Sequence, residues 1–266
     1  MRDLRARQED PAAWLALRRY TDARIALGRV GASLPTREIL DFDMAHARAR
    51  DAVQTSLDTS AFERQLHQAG FATLHVHSRA ADRSEYLRRP DLGRQLAPEC
   101  HEALRIHEPM DHRLTIAVAD GLSASAAAHH AIPLLMQLRS RLTGWSIDAV
   151  VIATQARVAL ADEIGELRGS EAVAILIGER PGLSSPNSLG IYMTYSPRRG
   201  RTDAERNCLS NIRVGGLSYS EAAFRLQYLL GEARLQGQSG VTVKDLSVWR
   251  EDARIAASIS DSSPGK

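Results

Sequence analysis

The chain has 266 residues, 44% hydrophobic and 25% charged, a composition that fits a globular protein large enough to bury a sizeable core. Its net charge of +2 excludes a global field that would demand a polyanionic partner, and acidic residues interspersed among the basic ones speak against a nucleic-acid-binding module. Of 34 Lys and Arg residues only Lys244 and Lys266 are lysines, an arginine excess that suits bidentate contacts to carboxylate or phosphate and that coding bias explains equally well.

The N-terminus, "MRDLRARQEDPAAWLALRRY", lacks the apolar core of a secretory signal. No apolar run is long enough to span a bilayer, so a cytosolic protein with no membrane partner is expected. Residues 11–70 read mostly as helix. In "REILDFDMAHARARDAV", Ile39, Leu40, Met44 and Ala47 recur near one face at helical spacing. The preceding "ARIALGRVGASLPT" and the later "AADRSEYLRRPDLGRQL" (80–96) are basic loops broken by glycine and proline. These features predict that residues 1–108 form an N-terminal extension, mainly helical, that leans on a partner.

From His112 the pattern changes. "RLTIAVADGLS" reads as a strand, "SASAAAHHAIPLLMQLRSRL" as a helix capped by Ser123 or Ser125, and "IDAVVIAT" as a second strand. "LADEIGELRG" is a short helix stopped by Gly169; "EAVAILIG" and "LGIYMTYSP" are a third and a fourth strand. "SYSEAAFRLQYLLGEARLQG" is a closing helix, with Ser218 or Ser220 as its cap and Glu221 spaced for a capping box. Apolar runs alternating with helices predict an α/β domain over residues 109–250: a Rossmann-like, mostly parallel sheet flanked by helices. Residues 251–266 read as a polar C-terminal tail.

Open parallel sheets bind ligands outside the carboxyl ends of their strands. Three loops are expected there: "DGLSAS" (120–125), "TQARVALADE" (154–163) and "GERPGLSSPNS" (178–188). The last is rich in proline and glycine, hence stiff, and a rigid loop loses little entropy when a ligand binds. Its Glu179-Arg180 pair reads as an ion pair, a solvated turn or a ligand contact. "DGLSAS" is either plain helix capping or an anion or amide site.

Common chemistry motifs are absent. There is no G-x-G-x-x-G dinucleotide fingerprint and no G-x-x-x-x-G-K-[ST] phosphate loop. His75-Val76-His77 has no third ligand nearby, and His129 and His130 do not share a helix face, so no metal site is expected. Cys100 and Cys208 form neither a disulfide framework nor a zinc pattern, and Cys208 in "RTDAERNCLSNI" reads as a structural thiol. From the residues alone, a free-standing α/β nucleotide-binding enzyme is the alternative, and it lacks both a phosphate loop and an acid/base pair.

"LADEIGELRGSEAVAILIGERPGLSSPNSLGIYMTYSPRRGRTDAERNCLSNIRVGGLSYSEAA" closely resembles the small (light) subunit of ethanolamine ammonia-lyase. The resemblance continues upstream through "RRYTDARIALGRVGASLPTREILDFDMAHARARDAV", "SEYLRRPDLGRQL" and "VADGLSASA", in matched order. It implies a subunit of an adenosylcobalamin-dependent enzyme that converts ethanolamine to acetaldehyde and ammonia by a radical mechanism. The partner it implies is a large subunit whose β/α barrel holds substrate and chemistry, in a higher-order hetero-oligomer. The small subunit would cover the cobalamin from the other side and contribute no catalytic residue. By position in the motifs, the cofactor contacts it implies are Val158, Glu179 and Cys208. The sequence holds no Asp-x-His-x-x-Gly, so the cofactor is expected to stay base-on with its own dimethylbenzimidazole. Several family members carry a longer N-terminal segment implicated in loading into a bacterial microcompartment. Here the match begins near residue 15, and a cytoplasmic location, in plain cytosol or inside such a compartment, is expected.

Overall fold

The computed structural model describes residues 11–105 and 110–249. The boundary expected at 108/109 and the polar tail expected over 251–266 lie outside the described residues. Helix α1 spans Pro11–Leu17 and α2 Thr36–Gln54; an irregular segment joins them. Then come α3 (Thr59–Gln68), strand β1 (Thr73–His77), α4 (Arg83–Arg88) and the single turn α5 (His101–Leu104). The second half runs β2 (Leu114–Ala119), α6 (Ala124–Arg141), β3 (Val150–Thr154), α7 (Leu160–Leu167), β4 (Ala172–Gly178), β5 (Leu189–Tyr195), β6 (Asn207–Ile212) and α8 (Tyr219–Gln236). Short polar side chains start four of the helices, and of the expected caps Ser123 and Ser218 are the ones used. Asp58, Asp82, Ser123 and Ser218 each accept the backbone N–H of the residue three positions on.

The strands form one sheet in the order β1-β3-β2-β4-β5-β6. β1, β3, β2 and β4 pair parallel, whereas β5 and β6 pair antiparallel. The sheet is α/β and mixed: three of its five pairings are parallel, as expected for most of it, and β5 and β6 add an antiparallel edge. The reason is the length of the connection after β4. Residues 179–188 are too few for a crossover, which takes a dozen or more, so β5 must turn back.

β2 and β4 are buried along their whole length, with alternate residues feeding opposite cores. Leu114, Ile116 and Val118 pack with α3, α6 and α8; Ala117, Ala119, Val173, Ile175 and Ile177 pack with α5 and α7. The sheet reaches upstream of residue 109, because β1 pairs with β3. Phe62 and Leu66 of α3 join the first core, and Leu96, Cys100 and Leu104 join the second. The basic stretch 80–96 is likewise no free loop, since Arg83, Tyr86 and Leu96 are buried in the chain's own body. α2 is different. It has no buried residue, and Ile39, Leu40, Phe42 and Met44 are 43%, 62%, 43% and 54% exposed.

Candidate functional site

The carboxyl ends of β2, β3 and β4 meet at one edge of the sheet. Just beyond β2 lies Asp120, whose carboxylate accepts the N–H groups of Gln155 (2.9 Å) and Ala156 (3.2 Å) just beyond β3. It also accepts Arg83 Nη1 at 3.1 Å, and both side chains are almost fully buried. Burial pushes the Asp120 carboxyl up; the Arg83 guanidinium and the N–H groups of Gln155, Ala156 and Gly121 pull it down. Arg83 donates further to Gly121 O (2.8 Å) and, through Nε, to Val53 O at the end of α2 (2.9 Å).

The turn after β2 lies directly against the end of β4. Leu122 N donates to Gly178 O at 2.9 Å. A Cβ at Gly121 would fall 2.2 Å from Gly178 O, and one at Gly178 would fall 2.1 Å from Ser123 O. Only glycine fits at either place.

The loop 179–188 is closed at its base and pinned at its far side. Glu179 N donates to Ser188 O at 3.0 Å. Ser123 Oγ donates to Pro186 O (3.2 Å) and Ser125 Oγ to Asn187 Oδ1 (3.4 Å). His130, on α6, lies 3.2 Å through Nε2 from Asn187 O and 2.8 Å through Nδ1 from the Tyr219 hydroxyl. A carbonyl only accepts, so Nε2 carries the proton and Nδ1 accepts from Tyr219. Burial pushes the His130 pKa down, which favours that neutral form.

Between these loops lies a cavity of about 440 Å³, whose wall includes Tyr86, Leu122, Arg157, Val158, Glu179 and Tyr192. Glu179 Oε2 accepts Ser188 Oγ (2.7 Å) and Asn211 N (3.1 Å), and no donor among the described residues reaches Oε1. Val158 packs half-buried against the second core. Cys208 is exposed on β6, paired with Tyr192 of β5, its Sγ 3.2 Å from Ser210 Oγ. Burial first, then Cys208, push the Tyr192 hydroxyl well above the ordinary phenol range. Two of the sequence-predicted residues, Val158 and Glu179, thus share a wall, and Cys208 adjoins it through Tyr192.

Sequence reasoning did not single out Tyr86, Arg157 or Tyr192. The Tyr86 hydroxyl donates to Ala156 O at 3.1 Å, and burial pushes its pKa up to about 12. The Arg157 guanidinium lies 4.3 Å from the centre of the Tyr86 ring. Tyr86 carries no sequence signal for the site, because it reaches the cavity from a distant helix. Elsewhere, His75 pairs with Glu63 at 2.8 Å and His77 lies 3.5 Å from Glu99. Among the described residues no group of three or more His, Cys, Asp or Glu side chains could hold a metal ion.

Comparison with known proteins then decides the family. The family model described as "Ethanolamine ammonia-lyase light chain (EutC)" matches residues 11–244, which takes in the whole sheet and every wall residue of the cavity. The chain belongs to the ethanolamine ammonia-lyase small-subunit family. It is 54% identical over 237 residues to the ethanolamine ammonia-lyase small subunit of Pseudomonas fluorescens (strain SBW25), covering 87% of this chain and 86% of that one. It is also 54% identical to that of Ralstonia nicotianae (strain ATCC BAA-1114 / GMI1000), covering 87% and 88%. The ethanolamine ammonia-lyase family is one of carbon–nitrogen lyases, and this chain belongs with its small subunits. No helix among the described residues of this small-subunit chain is long and apolar enough to cross a membrane.

Proposed function

We propose that this chain is the small subunit of an adenosylcobalamin-dependent ethanolamine ammonia-lyase, and that the cavity at the ends of β2, β3 and β4 forms one wall of the cobalamin site. The observation that carries the reading is the grouping of Val158 and Glu179 on one cavity wall, with Cys208 beside it, at the ligand-binding edge of the sheet.

The wall suits the group. Cobalamin presents a flat apolar face edged with side-chain amides. Val158, Leu122 and the Tyr192 ring offer apolar surface, and the open Oε1 of Glu179 can accept an amide N–H or a hydroxyl. When bound, adenosylcobalamin supplies the cobalt–carbon bond on whose homolysis the radical reaction depends. This chain's residues bind and orient. Ser188 and Asn211 fix the Glu179 carboxylate, while Gly121, Gly178, Ser123 and His130 fix the loop that carries it. The Cys208 thiol contributes packing and is not a nucleophile. With no Asp-x-His-x-x-Gly histidine to displace its own base, the cofactor would be held base-on.

The partner is a large subunit, as the relatives' designation as small subunits supports. The exposed apolar residues of α2, and those near it such as Trp14, Leu15, Tyr20 and Val30, supply a surface for it. A higher-order hetero-oligomer in the cytosol, free or within a microcompartment, completes the reading. The test is co-expression with a candidate large subunit. The two chains should co-purify and, once loaded, show a corrin absorption spectrum. Co-purification without corrinoid binding would remove the cofactor site; no co-purification would remove the partner.

A further inference from the structure

We infer that Arg157 is a further cofactor-binding residue, whose guanidinium takes the phosphodiester of the cobalamin nucleotide loop. The inference rests on the cobalamin site proposed above and assigns the one anionic group of that ligand to a residue of this chain.

Two arginines, Arg157 and Arg180, line the cavity beside Val158 and Glu179. No carboxylate among the described residues lies within ion-pair distance of either guanidinium, although most buried arginines here have one. Asp120, the nearby buried acid, is bound by Arg83. Glu179 is bound by Ser188 and Asn211. A half-buried guanidinium without a counter-ion is costly, and an anionic ligand offsets that cost.

The guanidinium is also held in place with donors to spare. Its Nη2 donates to Tyr86 O at 3.2 Å and its Cζ lies over the Tyr86 ring. Its Nε is enclosed, whereas its Nη1 has no hydrogen-bond partner among the described residues and is not enclosed. The Arg157 backbone N–H donates to Gly93 O at 2.8 Å, and a Cβ at Gly93 would fall 2.9 Å from Arg157 Cγ and 3.0 Å from the Tyr86 ring. The backbone at residue 93 leaves room for this contact, and the side chain so held lines the cavity. Arginine forks match phosphate oxygens in shape and charge. The other parts of cobalamin, its amides, sugar, base and corrin, are neutral or carry no anion that would select a guanidinium.

The experiment titrates cobinamide and cobinamide phosphate, which differ only by the phosphate, into the assembled two-subunit complex, followed by corrin absorption. Wild type should prefer cobinamide phosphate by roughly tenfold or more, the worth of one charge-assisted contact. Arg157→Met should erase the preference and leave cobinamide affinity within about threefold; Arg157→Lys should retain part of it. A preference that survives in Arg157→Met, or an equal loss for both probes, overturns the inference; the latter would make Arg157 a support for Tyr86 alone. Wild type that binds adenosylcobalamin but does not distinguish the probes overturns only the role of Arg157. Wild type that binds no corrinoid overturns the cofactor site and this inference together.

Discussion

Glu179 is fixed at one oxygen and open at the other. Ser188 and Asn211 both donate to Oε2, so the side chain is oriented before any ligand arrives. Glu179→Gln keeps the shape and removes the charge. In the assembled complex it should weaken adenosylcobalamin roughly ten- to a hundredfold, the equivalent of about 1.5–3 kcal/mol for a charge-assisted hydrogen bond. Co-purification with the large subunit should be unaffected. Unchanged cofactor affinity with lost assembly would make Glu179 an interface residue. Arg83 is the second residue on which much depends, because it joins Val53 O of α2, Gly121 O and Asp120. Arg83→Met leaves Asp120 buried without its counter-charge and should cost about 3–5 kcal/mol in urea unfolding. Adding Asp120→Asn should recover part of that loss in a double-mutant cycle. A cost for the single variant no larger than that of a surface pair would show that water reaches Asp120.

The elements that shape the site are two turns in backbone contact. The Gly178 Cα faces Ser123 O and Asp120 O, both backbone atoms that cannot swing aside. Gly178→Ala should therefore cost about 1–3 kcal/mol or more and shift the loop 179–188 that begins there. Its urea midpoint and its corrinoid affinity should fall together; an unchanged midpoint would mean that the two turns separate easily. At the entry to β6, a turn over Asp203–Glu205 is closed by Glu205, which accepts Thr202 N at 2.7 Å and Thr202 Oγ1 at 3.0 Å and pairs with Arg201. Those contacts, the Thr202 N–H foremost, lower the Glu205 carboxyl to about 2. An unfolded glutamate titrates near about 4.3. The folded pKa is the lower one, so the contribution is complete above the unfolded value and is lost as pH falls toward about 2. Between about pH 5 and pH 2 the urea midpoint of wild type should fall more steeply than that of Glu205→Gln. Equal slopes would show that Glu205 does not sense folding.

At the scale of the whole molecule, the two cores lie on the two faces of the sheet, and α2 contributes no buried side chain to either. Its Leu40 is 62% exposed and Met44 54%. An apolar stripe of this kind is stable in water only when covered. Leu40→Asp should abolish or strongly weaken co-purification with the large subunit while the far-ultraviolet circular dichroism and urea midpoint of the isolated chain stay unchanged. Intact assembly would place the partner elsewhere. The isolated wild-type chain should also aggregate more readily than the Leu40→Asp variant, as light scattering would show.

Features that depend on neighbours along the chain were legible in the order of residues alone. Periodicity and apolar runs located α2, α6, α7, α8 and β2 to β5, and short polar residues located the caps at Ser123 and Ser218. The rule that ligands sit at strand carboxyl ends directed attention to the edge where Glu179 lies, and the ordered resemblance named Val158, on the same cavity wall, and Cys208, which adjoins it. Tertiary structure decided what depends on chains meeting across space. β6 escapes an apolar-run search because four of its six residues are not buried. The direction of β5 was implicit in the short 179–188 connection, but the apolar run itself reads the same in either direction. The membership of β1 in the sheet, with Phe62, Leu66 and Tyr86 in the body of the protein, depends on packing partners far away in sequence. So does Arg157. Its place in "TQARVAL" reveals a loop, whereas its contact with Tyr86 and the room left by Gly93 arise only when segments some seventy residues apart are folded together, because local sequence carries propensity but not the identity of a distant neighbour.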